Sequence, residues 1–218
     1  MKKVLISPSI LGVEKKQLID VVDKLILSSA DYIHFDVMDG KFVNNLSFND
    51  DEIDILSNHV NDDILDVHLM CYDLKFSIDK FAKKHVKYIS IHYESDNIDQ
   101  LIYYANYIRE LGIKPGLVIN PDTDVNLILN YLSYFDLVLV MSVYPGKGGQ
   151  TFMDGSLEKI RLIDQYRKAH KLDLVIEVDG GINDKTGHYC IKENVDILVA
   201  GSYILKSDNY KERIESLK

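Results

Sequence analysis

The chain has 218 residues, 46% hydrophobic and 27% charged, enough apolar material to bury a substantial core in one domain and too much for a disordered polymer. Its formal net charge of −9 argues against a nucleic-acid partner, because such binding is driven by Lys and Arg displacing counterions from phosphates. Small molecules are the expected partners. Cys71 and Cys190 are too few for a disulfide framework and lack metal-type spacing, which suits a reducing compartment. The opening stretch MKKVLISPSIL is basic and then apolar, but Pro8 interrupts it and no cleavage-type site follows, so it reads as a strand. No run approaches the ~20 apolar residues of a membrane span. With no Gly/Ser/Pro-rich linker either, the expectation is one domain over residues 1–218, cytoplasmic, without a membrane partner.

Short β-rich apolar runs recur at Val4 to Leu11, Tyr32 to Met38, Ile64 to Met70, Tyr88 to Tyr93, Lys114 to Asn120, Leu137 to Tyr144, Leu174 to Gly180 and Ile197 to Tyr203. Between them lie stretches of helical periodicity with charged outer faces, such as Glu14 to Ser29, Ile98 to Leu111, Leu157 to His170 and Asp184 to Asn194. Strand alternating with helix implies a parallel sheet. Repeats of ~25 to 30 residues fit a closed (β/α)8 TIM barrel of the α/β class better than an open sheet. Pro8, Pro115, Pro121 and Pro145 all fall at or near strand ends, where a missing N–H does least harm.

In such a barrel the chemistry belongs at the carboxyl ends of the strands. Polar residues gather there: the first strand ends in Ser9, the second in the run His34, Asp36, Met38 and Asp39, the third in Asp66, His68 and Met70, the fourth in His92 and Glu94, and the seventh in Glu177 and Asp179. Side chains on a strand alternate faces, so His34 and Asp36 share one side while Phe35 and Val37 take the other. The apolar pair suits contact with helices, which turns His34 and Asp36 inward. The same parity turns in His68 with Asp66 and Met70, and Asp179 with Glu177. Two imidazoles and two carboxylates, His34, Asp36, His68 and Asp179, thus converge as a candidate site for one divalent ion. Zn2+ is the first expectation, and Fe2+, Mn2+ or Co2+ are allowed by ligand type.

Glycine clusters follow the sixth, seventh and eighth strands: Gly146, Gly148 and Gly149, then Gly180 and Gly181, then Gly201 beside Ser202. Barrels often bind phosphate where loops after strands seven and eight meet a helix N-terminus, through backbone N–H groups that glycine leaves accessible. A phosphorylated substrate is expected, with Lys147 as an added cation.

Five segments taken together resemble the ribulose-phosphate 3-epimerase family: Ser7-Pro8-Ser9-Ile10-Leu11, His34-Phe35-Asp36-Val37-Met38-Asp39-Gly40, Asp66-Val67-His68-Leu69-Met70, Pro145-Gly146-Lys147-Gly148-Gly149-Gln150 and Val178-Asp179-Gly180-Gly181-Ile182. They arrive in the family's order, closing with Ala200-Gly201-Ser202. The resemblance implies a ribulose-phosphate-binding barrel and an isomerase of the pentose phosphate pathway, interconverting D-ribulose 5-phosphate and D-xylulose 5-phosphate. It implies metal ligation by His34, Asp36, His68 and Asp179, with Asp36 as base toward ribulose 5-phosphate and Asp179 as acid. Implied substrate contacts are Ser9, His68, Gly146, Lys147, Gly148, Gly149, Gly180, Gly181, Gly201 and Ser202, with Met38, Met70 and Met141 lining the pocket. The chemistry agrees: epimerising a carbon beside a ketone requires one group to take a proton from one face and another to return one to the opposite face.

Asn44, Tyr144 and Lys147 depart from the family's usual residues at their positions, which bears on loop shape and substrate choice. A 3-epimerase for a six-carbon ketose phosphate such as allulose 6-phosphate is the nearest alternative, and a non-catalytic sugar-phosphate binder a more distant one. The lyase branch of phosphate-binding barrels uses D-x-K-x-x-D, and Met38 stands where its lysine would be. Asp66 and Glu177 read as partners orienting His68 and Asp179, or as interior ion pairs. His92 reads equally as a mouth residue or a structural histidine. The segment Lys41 to Phe48 is a candidate lid, and self-association into a homo-oligomer is left open.

Overall fold

The computed structural model describes residues 3–48 and 50–218. Eight strands, β1 (Leu5–Ser7), β2 (Ile33–Met38), β3 (Leu65–Met70), β4 (Val86–His92), β5 (Lys114–Ile119), β6 (Leu137–Met141), β7 (Val175–Asp179) and β8 (Ile197–Val199), pair in parallel in the order β1-β8-β7-β6-β5-β4-β3-β2. The seam between β1 and β2 is closed just beyond β1. Ser9 bridges His34, His34 N donates to Pro8 O at 3.0 Å and Ile10 N to His34 O at 3.1 Å. The result is a (β/α)8 barrel.

The helices between strands are α1 (Leu18–Leu27), α2 (Asp50–His59), α3 (Leu74–Phe81), α4 (Ile98–Glu110), α5 (Gly155–His170) and α6 (Asp184–Lys192), and α7 (Ser202–Leu205) and α8 (Tyr210–Glu215) follow β8. Their starts follow side-chain chemistry. Asp73 accepts from Phe76 N before α3, Asn97 from Gln100 N before α4, and Asn183 forms a capping box with Thr186 before α6. One repeat departs from the alternation: between β5 and β6 the chain makes the 3-10 turns Val125–Leu127 and Leu129–Tyr134 in place of an α-helix. The expected eighth strand is also shorter, because Gly201 leaves the extended conformation (φ −92°, ψ −86°) and α7 begins at Ser202.

Side-chain parity separates two cores. Phe35, Val37, Val67, Leu69, Ile176 and Val178 point outward into the large cluster shared with the helices. There Phe35 stacks on Phe48 with centroids 4.2 Å apart, and truncating such a fully buried ring costs roughly 3–5 kcal/mol. Inside the barrel a second cluster holds Tyr88, Val118, Leu137, Leu139, Met141, Val143 and Ile197. The polar interior residues come instead from β1 to β4 and β7, which sets the chemistry to one side.

Behind the barrel an ion network ties α5 to the starts of β7 and β8. Arg167 is buried and bonds Asp164 at 2.9 Å, Asp196, and the carbonyls of Leu174 (2.7 Å) and Asn194 (2.8 Å). Asp196 in turn accepts from Ile176 N at 2.8 Å. Because Asp196 immediately precedes β8, this clamp sits at the end of the barrel opposite the strand carboxyl termini.

Candidate active site

The parallel register of β2 and β3 sets His34 beside Asp66, Asp36 beside His68, and Met38 beside Met70. Asp179 comes from the end of β7, where it pairs in register with Met141 on β6 and Val199 on β8. One ligand atom each from His34, Asp36, His68 and Asp179 lies within 4.8 Å of the others. Asp36 Oδ1 is 3.5 Å from His34 Nε2 and 3.2 Å from His68 Nδ1. Ser9 Oγ donates to the other oxygen, Asp36 Oδ2, at 2.8 Å.

The donor set fits a divalent ion. His34 Nε2 is buried with no hydrogen-bond partner, and its ring is held from behind by Asp66 Oδ2, 2.6 Å from Nδ1. Asp66 itself accepts from Ser7 Oγ at 3.0 Å. A buried imidazole nitrogen left without a partner is costly in a protein interior unless a ligand meets it. Asp66 therefore orients His34, not the His68 two residues along its own strand. Neighbours at i and i+2 on a strand stand apart on one face, whereas the register places His34 directly opposite.

Electrostatics drive the two carboxylates apart. Burial and the nearby charge of Asp36 push the Asp179 carboxyl up to about 7. Burial also disfavours charge on Asp36, but His34 and His68 outweigh it and hold Asp36 well below the usual carboxylate range. Burial opposes protonation of His34, yet Asp66 and Asp36 raise its pKa well above the ordinary value. Glu177, fully buried beside Asp66, is raised by burial first and by that carboxylate second. Its two oxygens have no hydrogen-bond partner, and with His34 and Asp66 it offers a second convergence of potential ligand atoms.

A cavity of ≈ 460 Å3 opens over this cluster. Ser9, Asp36, Met38, Met70, Met141, Gly146, Lys147, Gly148, Gly149, Asp179, Gly180, Gly181, Gly201 and Ser202 all line it. His34 and His68 are completely buried outside that lining. Gly180 (φ +122°) and Gly181 (φ +60°) adopt backbone conformations that L side chains rarely take; a Cβ at Gly180 would meet Val143 at 2.5 Å, and one at Gly181 would meet Phe152 N at 2.5 Å. These glycines bring the turn after β7 against the β6 loop. Gln17, Lys206 and Tyr210 also line the cavity and were not singled out from sequence. Lys206 lies one helical turn beyond Ser202; Gln17 and Tyr210 reach the rim from the stretches just after Ser9 and Ser202, where no motif marks them.

The segment Lys41 to Phe48 is tied down at both ends. Asp39 and Leu46 form an antiparallel bridge, Ser47 Oγ donates to Asp36 O at 2.6 Å, and Asn45 Nδ2 donates to Gly146 O at 2.7 Å across the mouth. Its Phe42 ring lies 4.6 Å from the ring of His92. His92 is fully buried, and burial first of all lowers its pKa, to about 4.

The model of the ribulose-phosphate 3-epimerase family matches residues 5–205. The chain belongs to that family. It is 37% identical over 221 residues to the ribulose-phosphate 3-epimerase of Chlamydia muridarum, covering 98% of this chain and 95% of the relative. It is 38% identical over 213 residues to that of Helicobacter pylori, covering 98% and 96%. Like these relatives, the family member described here is an enzyme of the isomerase class, an epimerase. Among solved structures, KGPDC from Streptococcus mutans superposes with a TM-score of 0.76 at 13% identity, covering 98% of this chain and 95% of that one, which supports the barrel fold. No helix among the described residues is long and apolar enough to cross a membrane.

Proposed function

We propose that this chain, acting as one domain in the cytoplasm, is a metal-dependent 3-epimerase that interconverts D-ribulose 5-phosphate and D-xylulose 5-phosphate in the pentose phosphate pathway. The observation that carries the proposal is the convergence of Asp36 and Asp179 with His34 and His68 beside a cavity edged by glycine loops. The relatives' name supplies the substrate.

Asp36, held ionised, takes the C3 proton; the C3–H electron pair moves into the C2 carbonyl to give an enediolate. Asp179, which burial and the charge of Asp36 make the readier of the two carboxyls to bear a proton in the metal-free site, returns a proton to the opposite face of C3. The reverse reaction exchanges the two roles. His34, Asp36, His68 and Asp179 would hold one divalent ion, Zn2+ first and Fe2+, Mn2+ or Co2+ by the same donors. When bound, it supplies Lewis-acid stabilisation to the developing oxyanions. Ser9 fixes the Asp36 carboxylate, while Met38, Met70 and Met141 give the planar intermediate a polarizable apolar wall. Backbone N–H groups of Gly146, Gly148, Gly149, Gly180, Gly181, Gly201 and Ser202, with Lys147, are the phosphate contacts.

The test is a coupled assay of metal-loaded protein on ribulose 5-phosphate and allulose 6-phosphate side by side, with a chelated control. Chelator-sensitive turnover favouring the pentose is expected. Preference for the hexose would move the substrate assignment, and silence on both would overturn the catalytic reading.

A further inference from the structure

His68 has two ring nitrogens and both are engaged. Nδ1 faces Asp36 Oδ1 at 3.2 Å, on the side of the ligand cluster. Nε2 faces His92 Nε2 at 2.8 Å. Two imidazole nitrogens can sit this close as a hydrogen bond when one bears a proton and the other a lone pair. Glu94 decides which.

Glu94 Oε2 lies 3.0 Å from His92 Nδ1. Its other oxygen, Oε1, already accepts from Asn120 N at 2.9 Å and from the Thr123 hydroxyl. The loop presenting those donors is pinned by Lys159, whose ammonium donates to the carbonyls of Asn120, Pro121 and Thr123 at 2.8, 2.7 and 2.6 Å. A carboxylate held in this way is an acceptor, so His92 Nδ1 must carry a proton. In neutral His92 the lone pair is then on Nε2, and the proton between the rings belongs to His68 Nε2. The opposite arrangement would set a bare His92 Nδ1 against the Glu94 carboxylate at 3.0 Å with nothing to offset it, whereas the His68 Nδ1 lone pair facing Asp36 Oδ1 at 3.2 Å is a pairing that a cation held by the ligand cluster would relieve. Both histidines are completely buried, so water does not compete. Phe42, its ring centroid 4.6 Å from that of His92, and His68, at 5.0 Å, pack against the ring and fix its plane.

We propose that His92, backed by Glu94, is a positioning residue for His68: it accepts the His68 Nε2 proton and so keeps the Nδ1 lone pair directed at the ligand cluster. The inference rests on the metal reading above. It also pairs the two histidine ligands by opposite means. His34 is held through Nδ1 by a carboxylate and presents Nε2; His68 is held through Nε2 by an imidazole and presents Nδ1.

The experiment compares His92→Phe, which keeps a ring and removes the acceptor, with His92→Gln, whose amide oxygen can restore it, and with Glu94→Gln. Co2+ affinity is measured by chelator competition, and the His68 tautomer in metal-free protein by long-range 1H–15N correlation spectra. His92→Phe is expected to weaken Co2+ binding roughly 10- to 100-fold, as loss of a partner behind a ligand histidine typically does, and to turn a single Nε2–H tautomer of His68 into a mixture. His92→Gln should recover most of both, and Glu94→Gln should fall between. Should His92→Phe fail to fold, Glu94→Gln carries the test, because its side chain lies partly open to solvent. Co2+ affinity and His68 spectra unchanged in the variants would overturn the positioning role alone. An unaltered protein that takes up no Co2+ would overturn the metal reading and this inference together.

Discussion

Ser9 donates its hydroxyl to Asp36 Oδ2 at 2.8 Å from the very segment that closes the barrel seam against His34. The bond turns Asp36 so that Oδ1 faces both ligand histidines. Ser9→Ala should therefore lower kcat roughly tenfold and cost about 1–3 kcal/mol of stability, the range for removing a buried hydrogen bond to a charged group. Steady-state kinetics beside a urea titration checks this. An unchanged kcat would show that Asp36 needs no such anchor.

Asp36→Asn and Asp179→Asn should each lower turnover by roughly 10²- to 10⁴-fold, the usual contribution of a positioned acid or base, with the fold retained. Asp179→Asn should in addition stabilise the metal-free protein above about pH 7. A carboxyl raised to about 7 in the folded chain, against an ordinary 3.8, costs the folded state increasingly as pH rises from about 3.8 and in full above about 7. Substantial turnover by either variant would sink the two-carboxylate mechanism.

Metal uptake should release protons. Asp179, raised to about 7, and His34, raised above its ordinary value, both carry protons in mildly acidic solution that an ion must displace; Asp36, held low, carries none. Apparent Co2+ affinity is expected to rise roughly tenfold per pH unit for each displaced proton up to about pH 7, and less steeply above it. Calorimetry in buffers of different ionisation enthalpy measures the protons directly. Affinity that stays flat across that range would contradict the assignment of Asp179 as a ligand.

Gly180→Ala forces an L residue to φ +122° and drives its Cβ to 2.5 Å from Val143. Strain of this kind costs roughly 1–3 kcal/mol, and the turn it distorts edges the cavity, so KM for the phosphorylated substrate should rise alongside the loss of stability. Chemical denaturation and substrate titration read the two effects separately.

Far from the cavity, Arg167→Met takes the buried guanidinium away from Asp164 and Asp196. Removing one partner of a buried network costs roughly 3–5 kcal/mol, and here the loss should appear in the unfolding midpoint with kcat nearly unchanged. A large fall in kcat at full stability would mean that the clamp reaches the site.

Much of the site was legible without coordinates because the governing rule is local. Alternation along a strand depends on the pleat of the backbone alone, so His34 with Asp36, Asp66 with His68 and Glu177 with Asp179 could be turned inward from their apolar neighbours. The glycine loops were legible for the same reason, since their positions follow strand ends.

Which inward residues touch is another matter, because strand register joins segments about thirty residues apart. Only the folded barrel sets Asp66 against His34, in the interior ion pair that sequence leaves open, and not against His68 two residues along its own strand. His92 could not be told from a structural histidine by sequence, and it meets His68 through the stagger of β4 on β3. Chemistry-bearing residue types and the face they take come from local backbone geometry. Their partners, and the neighbouring charges that hold Asp36 low while burial and Asp36 raise Asp179, come from long-range pairing that no local pattern encodes.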